Sequence, residues 1–176
     1  MATTRIIFGL LCCIGALGNG MPNRHLLRQP TAQQEVVAIA TSQLGVKETG
    51  LNNHGAQVKQ YLAYTHLKEG NSWCAAFVSW VFGRAGYRQP QTAWSPALFP
   101  IGRQTKSPQP GDVLGLYSAE KRRIVHCGLI ERTHSDWVIS IEGNTNGNGS
   151  SDGDGVYRKW RHRRLIAVYA RWLPVK

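Results

Sequence analysis

The feature that most constrains this chain is a change in the period of its apolar residues. Up to Gly86 they recur at helical spacing, and from Val113 onward they alternate in short blocks bounded by turn residues. Between the two, residues 87–110 carry five prolines (Pro90, Pro96, Pro100, Pro108 and Pro110), which excludes a helix interior or a central strand there. Helices first and antiparallel strands second define an α+β fold, with N-terminal helices packed on an antiparallel sheet of about five or six strands. The proline-rich stretch reads as a long excursion, and long ordered loops often carry function.

Within the helical part, Thr31 and Gln34 form a Thr-x-x-Gln capping box, so a first helix is expected over residues 32–44, closed by Gly45. A second is expected over 55–64, capped by Asn53 and burying Val58, Tyr61 and Leu62. The third carries Cys74, Phe77, Val78, Val81, Phe82 and Ala85 on one face and ends at Gly86. With Ser72 as its cap, Trp73 takes the first helical position and Cys74 the second, where unpaired N–H groups and the positive end of the dipole favour a thiolate. Strands are expected over 113–117, 124–131, 137–142, 155–159 and 165–172. Period two sets Ile124, His126, Gly128 and Ile130 against Val125, Cys127 and Leu129, so His126 and Cys127 point apart. It also moves Glu142, with Val138 and Ser140, off the face of Trp137, Ile139 and Ile141, so neighbouring strands bring His126 beside Glu142 or Asn144.

Residues 1–20 place Arg5 before an apolar run from Ile6 to Leu17 and end in small residues, the layout of a secretory signal peptide. The run is short for a bilayer span, and Cys12 and Cys13 lack the small preceding residue of a lipid-attachment site, so the leader is taken as cleaved, with no stable membrane span after it. A polar lead-in over 21–30 and a single domain over 31–176 follow, and the product is expected to be secreted or periplasmic and to act as a monomer. Cleavage leaves Cys74 and Cys127; export permits a disulfide between them, but a free Cys74 is the preferred state. A formal net charge of +11, with basic clusters at 121–123 and 158–164, either solvates one face or draws the protein to anionic wall polymers. No nucleic-acid motif accompanies it, so a specific nucleic-acid partner is not expected.

Cys74, His126, Glu142 and Asn144 together are the components of a Cys-His-Glu or Cys-His-Asn triad, although each alone reads as ordinary core, strand or turn chemistry. His134, in the turn before Asp136, is a rival base. Asp112, after Pro-Gly, reads as a turn residue. The Gly-rich loop from Asn144 lacks the acidic pattern of a calcium loop, and neither zinc-type spacing nor a phosphate-binding loop occurs, so no metal or cofactor is expected.

The runs Asn71-Ser-Trp-Cys-Ala-Ala-Phe-Val-Ser-Trp-Val81, Pro110-Gly-Asp-Val113, His126-Cys-Gly-Leu-Ile130 and Glu142-Gly-Asn-Thr145 resemble, in order and spacing, the CHAP family of cysteine, histidine-dependent amidohydrolases and peptidases. That family is related to the NlpC-type wall peptidases within the papain-like fold, and the similarity extends over residues 31–172. The resemblance implies a peptidoglycan hydrolase acting on an N-acetylmuramoyl-L-alanine amide or on a peptide-stem or cross-bridge bond. It implies that Cys74 attacks the carbonyl, His126 is the base, Glu142 orients His126, and Asn144 orients the histidine or polarises the substrate. The alternative is a wall-binding or scaffolding domain of the same fold without turnover.

Overall fold

A computed structural model describes residues 29–147 and 153–174. The expected leader over 1–20, most of the expected lead-in over 21–30, the tip of the Gly-rich loop and residues 175–176 lie outside the described residues. The order of elements is α1 (Ala32–Thr41), α2 (Ala56–Tyr64), α3 (Cys74–Arg84), two 3₁₀ turns (Ser95–Leu98 and Ile101–Arg103), β1 (Val113–Ser118), β2 (Arg123–His134), β3 (Trp137–Thr145), β4 (Gly155–His162), a third 3₁₀ turn (Arg163–Leu165) and β5 (Val168–Ala170). The sheet has the order β4-β3-β2-β1-β5 and is antiparallel throughout. Three helices and a five-stranded antiparallel sheet are the α+β arrangement that the periodicity predicts. No helix among the described residues is long and apolar enough to cross a membrane.

The capping box starts α1 as expected, with Thr31 Oγ1 accepting from the Gln34 N–H at 3.2 Å and Gln34 Oε1 accepting from the Thr31 N–H at 2.9 Å. The helix ends at Thr41 rather than residue 44, because Gln43 and Leu44 bond back to Ala40 and Thr41 in a tighter i−3 pattern before Gly45 takes φ 85°. Two expected caps are corrected. Gly55, not Asn53, caps α2; the Asn53 amide oxygen accepts instead from Asn144, and the Gly55 N–H donates to Glu69. Trp73, not Ser72, caps α3, which moves Cys74 to the first helical position. No side chain caps this helix; its entry is fixed by longer-range bonds that Trp73 donates, from its backbone N–H to Asn144 and from its indole N–H to Glu48.

Helix α3 was expected to bury one face, but the eight residues Cys74–Ser79, Val81 and Phe82 are all buried. The helix packs against α1 and α2 and against β2 and β3, so most of its circumference is covered, with Trp80 and Gly83 half-buried and Arg84 exposed. Its large apolar side chains each contribute about 1.5–3 kcal/mol by leaving water. Val113, Cys127, Leu129 and Ile141 supply the sheet side of this core, while Leu114, Ile130 and Val138 form a smaller cluster on the opposite face with Ile166. Gly143 permits the close approach of β3 to α3: a Cβ there would lie 2.6 Å from the Trp73 ring.

Pairing of β2 is irregular at two points, at Glu131 against β3 and at Val125 against β1. Leu116 pairs with His126 and Tyr117 with Ile124, leaving Val125 as an extra residue in a bulge. Ile124 therefore packs against the helix-side core with Cys127 and Leu129, not on the expected face. At the other edge, the strand expected over 165–172 shrinks to three residues, since β1 offers only Val113–Gly115 for pairing and Arg171 turns away to bind Asp112.

Candidate active site

Cys74, His126 and Asn144 line one open cleft of about 970 Å³, with Glu142 fully buried behind it. Helix α3 brings Cys74 to the cleft floor with its first-turn N–H groups, which an α-helix leaves without intrahelical partners. The proline-rich excursion supplies the facing wall. It is tied to α3 by Ser79, whose hydroxyl donates to the Thr92 carbonyl at 2.8 Å and accepts from the Thr92 N–H at 2.9 Å. That anchor places Ser95 Oγ 3.3 Å from Cys74 Sγ.

His126, beside the bulge of β2, joins Glu142 of β3 through a 2.8 Å contact between Nε2 and Oε2. Gly128 makes this possible, since a Cβ at residue 128 would sit 2.5 Å from Glu142 Cγ. Glu142 is held on both oxygens: Ser140 Oγ donates to Oε1 at 2.6 Å, and Arg161 of β4 donates from Nε to Oε1 at 3.0 Å and from Nη2 to Oε2 at 2.6 Å. Pairing of Val138 with Arg161, Ser140 with Lys159 and Glu142 with Tyr157 puts Arg161 on the same sheet face as the carboxylate.

Burial alone would raise the Glu142 carboxyl, but the hydrogen bonds from Arg161 and then His126 outweigh it and hold it down at about 2. Burial likewise disfavours a charged His126, yet its bonds to Cys74 and Glu142 raise it to about 10. The Cys74 thiol lies well below its ordinary value. A hydrogen bond from Cys127 contributes most, opposed by burial and reinforced by His126 and Ser95. Cys127 moves the other way, pushed up by burial and by the adjacent Cys74, and so stays a thiol that donates to its neighbour. The two cysteines are unbridged. These shifts favour a thiolate at Cys74 and an imidazolium at His126, with the Glu142 carboxylate buried behind them.

Asn144 borders the cleft with φ 53°, and its hydrogen bonds run to the entry of α3: Oδ1 accepts from the Trp73 N–H at 3.2 Å, while Nδ2 donates to Asn53 at 3.0 Å and to Glu48 at 3.4 Å. Those bonds tie it to the segment that presents Cys74. His134 ends β2, exposed and outside the cleft lining. Asp112 is buried against Arg171 and accepts from the Gln109 N–H, in keeping with a turn residue.

Arg161, Ser140 and Ser95 are not among the candidate site residues that the sequence offers, and Cys127 enters there only as a possible disulfide partner. By sequence Arg161 belongs to the basic cluster over 158–164 and lies beyond the strand expected over 155–159. Its signal is the period of β4, but only the register against β3 reveals the partner. Much of that basic cluster is similarly engaged: Arg158 pairs with Glu131 at 2.7 Å, Lys159 donates to the Asn146 carbonyl, and Arg163 donates to the Ser135 carbonyl.

No protein-family model matches the chain, and no curated protein matches it. Among solved structures, the crystal structure of Ly7917 is similar at 16% identity and a TM-score of 0.48, covering 79% of this chain and 61% of that one. NlpC1 from Trichomonas vaginalis is similar at 14% identity and 0.47, covering 80% and 44%. Ly7917 with the hydrolyzing product of MDP is similar at 16% and 0.46, covering 78% and 61%. The chain spans less than two thirds of the length of each of these.

Proposed function

We propose that this protein is a cysteine hydrolase that cleaves an amide bond of peptidoglycan, either the N-acetylmuramoyl-L-alanine amide or a bond of the peptide stem or cross-bridge. The observation that carries the reading is the pairing of His126 with the buried Glu142 in the same cleft that Cys74 lines from a helix N-terminus. The wall as substrate rests on the motif resemblance to the CHAP family and on the secretory layout of residues 1–20.

In this reading the Cys74 thiolate attacks the scissile carbonyl carbon, forming the S–C bond as the carbonyl electrons move to oxygen. First-turn N–H groups of α3 stabilise the oxyanion that develops. His126, which has taken the Cys74 thiol proton and is kept protonated by the Glu142 carboxylate, gives that proton to the leaving amine as the C–N bond breaks, and a thioester remains on Cys74. Water, deprotonated by His126, then attacks the thioester and releases the acid and the free thiolate. Glu142 keeps the ring oriented and its charge favoured, and Ser140 and Arg161 keep Glu142 ionised.

The test is digestion of purified sacculi by the wild-type protein and by Cys74→Ala, with mass spectrometry of the soluble fragments. Wild type is expected to release fragments with a new amine and a new carboxyl, and Cys74→Ala none. Equal release by both defeats the cysteine mechanism. Release by neither leaves a binding domain without turnover as the better account.

A further inference from the structure

The cleft carries two cations with no carboxylate bound to them. Lys121, in the β1–β2 turn, and Arg123, at the start of β2, line the same cleft as Cys74 and His126. Among the described residues neither forms an ion pair, whereas Arg158, Arg161 and Arg171 are each matched to an acid.

Arg123 is preorganised. Its guanidinium lies 4.3 Å over the Trp94 ring, and its Nη1 donates to the Ile124 carbonyl at 3.2 Å. Stacking fixes the plane of the fork, and most of its five N–H donors stay available for a bidentate acceptor. Trp94 itself is 54% exposed, a large apolar surface left in water on the wall of a cleft. It directly precedes Ser95, whose hydroxyl touches Cys74, so a group held on this platform lies within a short peptide's reach of the nucleophile. Glu120 stands on the same wall, but its single charge leaves the rim cationic beside Lys121 and Arg123.

We propose that Arg123, stacked on Trp94 and flanked by Lys121, is a subsite for a free carboxylate carried by the peptide near the scissile amide, and that the protein selects acidic stems over amidated ones. This rests on the proposed amide hydrolysis for the identity of the substrate, but the binding it predicts does not require turnover. A carboxamide in the same place offers one neutral acceptor where the carboxylate offers two charged ones.

The test uses the full chain as Cys74→Ala, so that nothing is consumed, and two synthetic muramoyl stem peptides. One carries the free α-carboxylate of a γ-linked D-glutamate, and the other carries the carboxamide at that position. Calorimetry is expected to show the acid binding roughly tenfold to a hundredfold more tightly. Adding Arg123→Ala removes the preference, Arg123→Lys retains part of it, and Arg164→Ala, an exposed cation outside the cleft lining, leaves it intact. Equal binding of the two peptides by the parent, or no binding of either, overturns the subsite. So does an equal loss from Arg164→Ala, which signals general charge attraction. A protein that discriminates between the peptides yet digests no sacculi keeps the subsite and loses the proposed hydrolysis, so the two failures are distinguishable.

Discussion

Arg161→Ala offers a demanding test of the buried network, because it removes two of the hydrogen bonds on Glu142 while leaving Cys74, His126 and Glu142 in the chain. Glu142 falls from its ordinary 4.5 to about 2, which at about 1.4 kcal/mol per tenfold corresponds to about 3 kcal/mol in favour of the carboxylate. Breaking a buried pair by deleting one partner costs about 3–5 kcal/mol in general. Arg161 retains 21% side-chain exposure, so water recovers part of that and the lower end applies. Because the folded value lies below the unfolded one, this stabilisation is complete above about pH 4.5 and is lost as the pH falls toward 2. Urea denaturation of wild type and Arg161→Ala at pH 7 is therefore expected to differ by about 3 kcal/mol, and the difference should shrink in acid. Arg161→Lys, which keeps the charge but not the fork, should recover part of both stability and turnover. A difference within about 0.5 kcal/mol at pH 7, the ordinary scatter for a surface substitution, refutes the argument that Arg161 compensates a buried charge.

Three further outcomes follow from the same geometry. Cys74 is held low and His126 high, so the thiolate–imidazolium pair should persist across neutral pH: iodoacetamide should alkylate Cys74 well below the ordinary thiol range, the rate falling only in acid, and His126→Ala should move that profile upward. The alkaline limb of hydrolysis should then report loss of the His126 proton near pH 10. Gly128→Ala places a methyl group against Glu142; an overpacking cost of about 1–3 kcal/mol is expected in thermal denaturation, with a larger proportional loss in kcat as the carboxylate is displaced. Asp112→Asn disrupts the ion pair with Arg171 and should lower stability by about 3 kcal/mol while kcat stays near wild type, a result that steady-state kinetics beside a melt will check.

The fold class was legible because it rests on periodicity, which tertiary contacts did not overturn: Val36, Val58, Phe77, Leu129 and Ile141 all reach the core that their spacing assigns them. Helix entries were less legible. Asn53 and Ser72 have good capping chemistry, but Asn53 is drawn to Asn144 and the Trp73 N–H is satisfied from 71 residues away. Local propensity cannot anticipate such partners. In the cleft, Cys74, His126 and Glu142 were recoverable as an ordered set of chemical types, and the structure brings them together. Arg161 was not, because a strand arginine looks the same whether it meets solvent or a carboxylate, and only the β3–β4 register decides. Cys127 shows a second limit. Alternation sends it away from His126, yet Cys127 as well as His126 helps to hold the Cys74 thiol low.

The central claim, that Cys74 is a nucleophile that carries the acyl group, is tested most directly by intact-mass spectrometry of the protein quenched in acid during turnover of soluble peptidoglycan fragments. An added mass equal to the acyl fragment is expected, mapping to the peptide that contains Cys74 and absent from Cys74→Ala. Fragment release with no adduct, undiminished in Cys74→Ala, contradicts it.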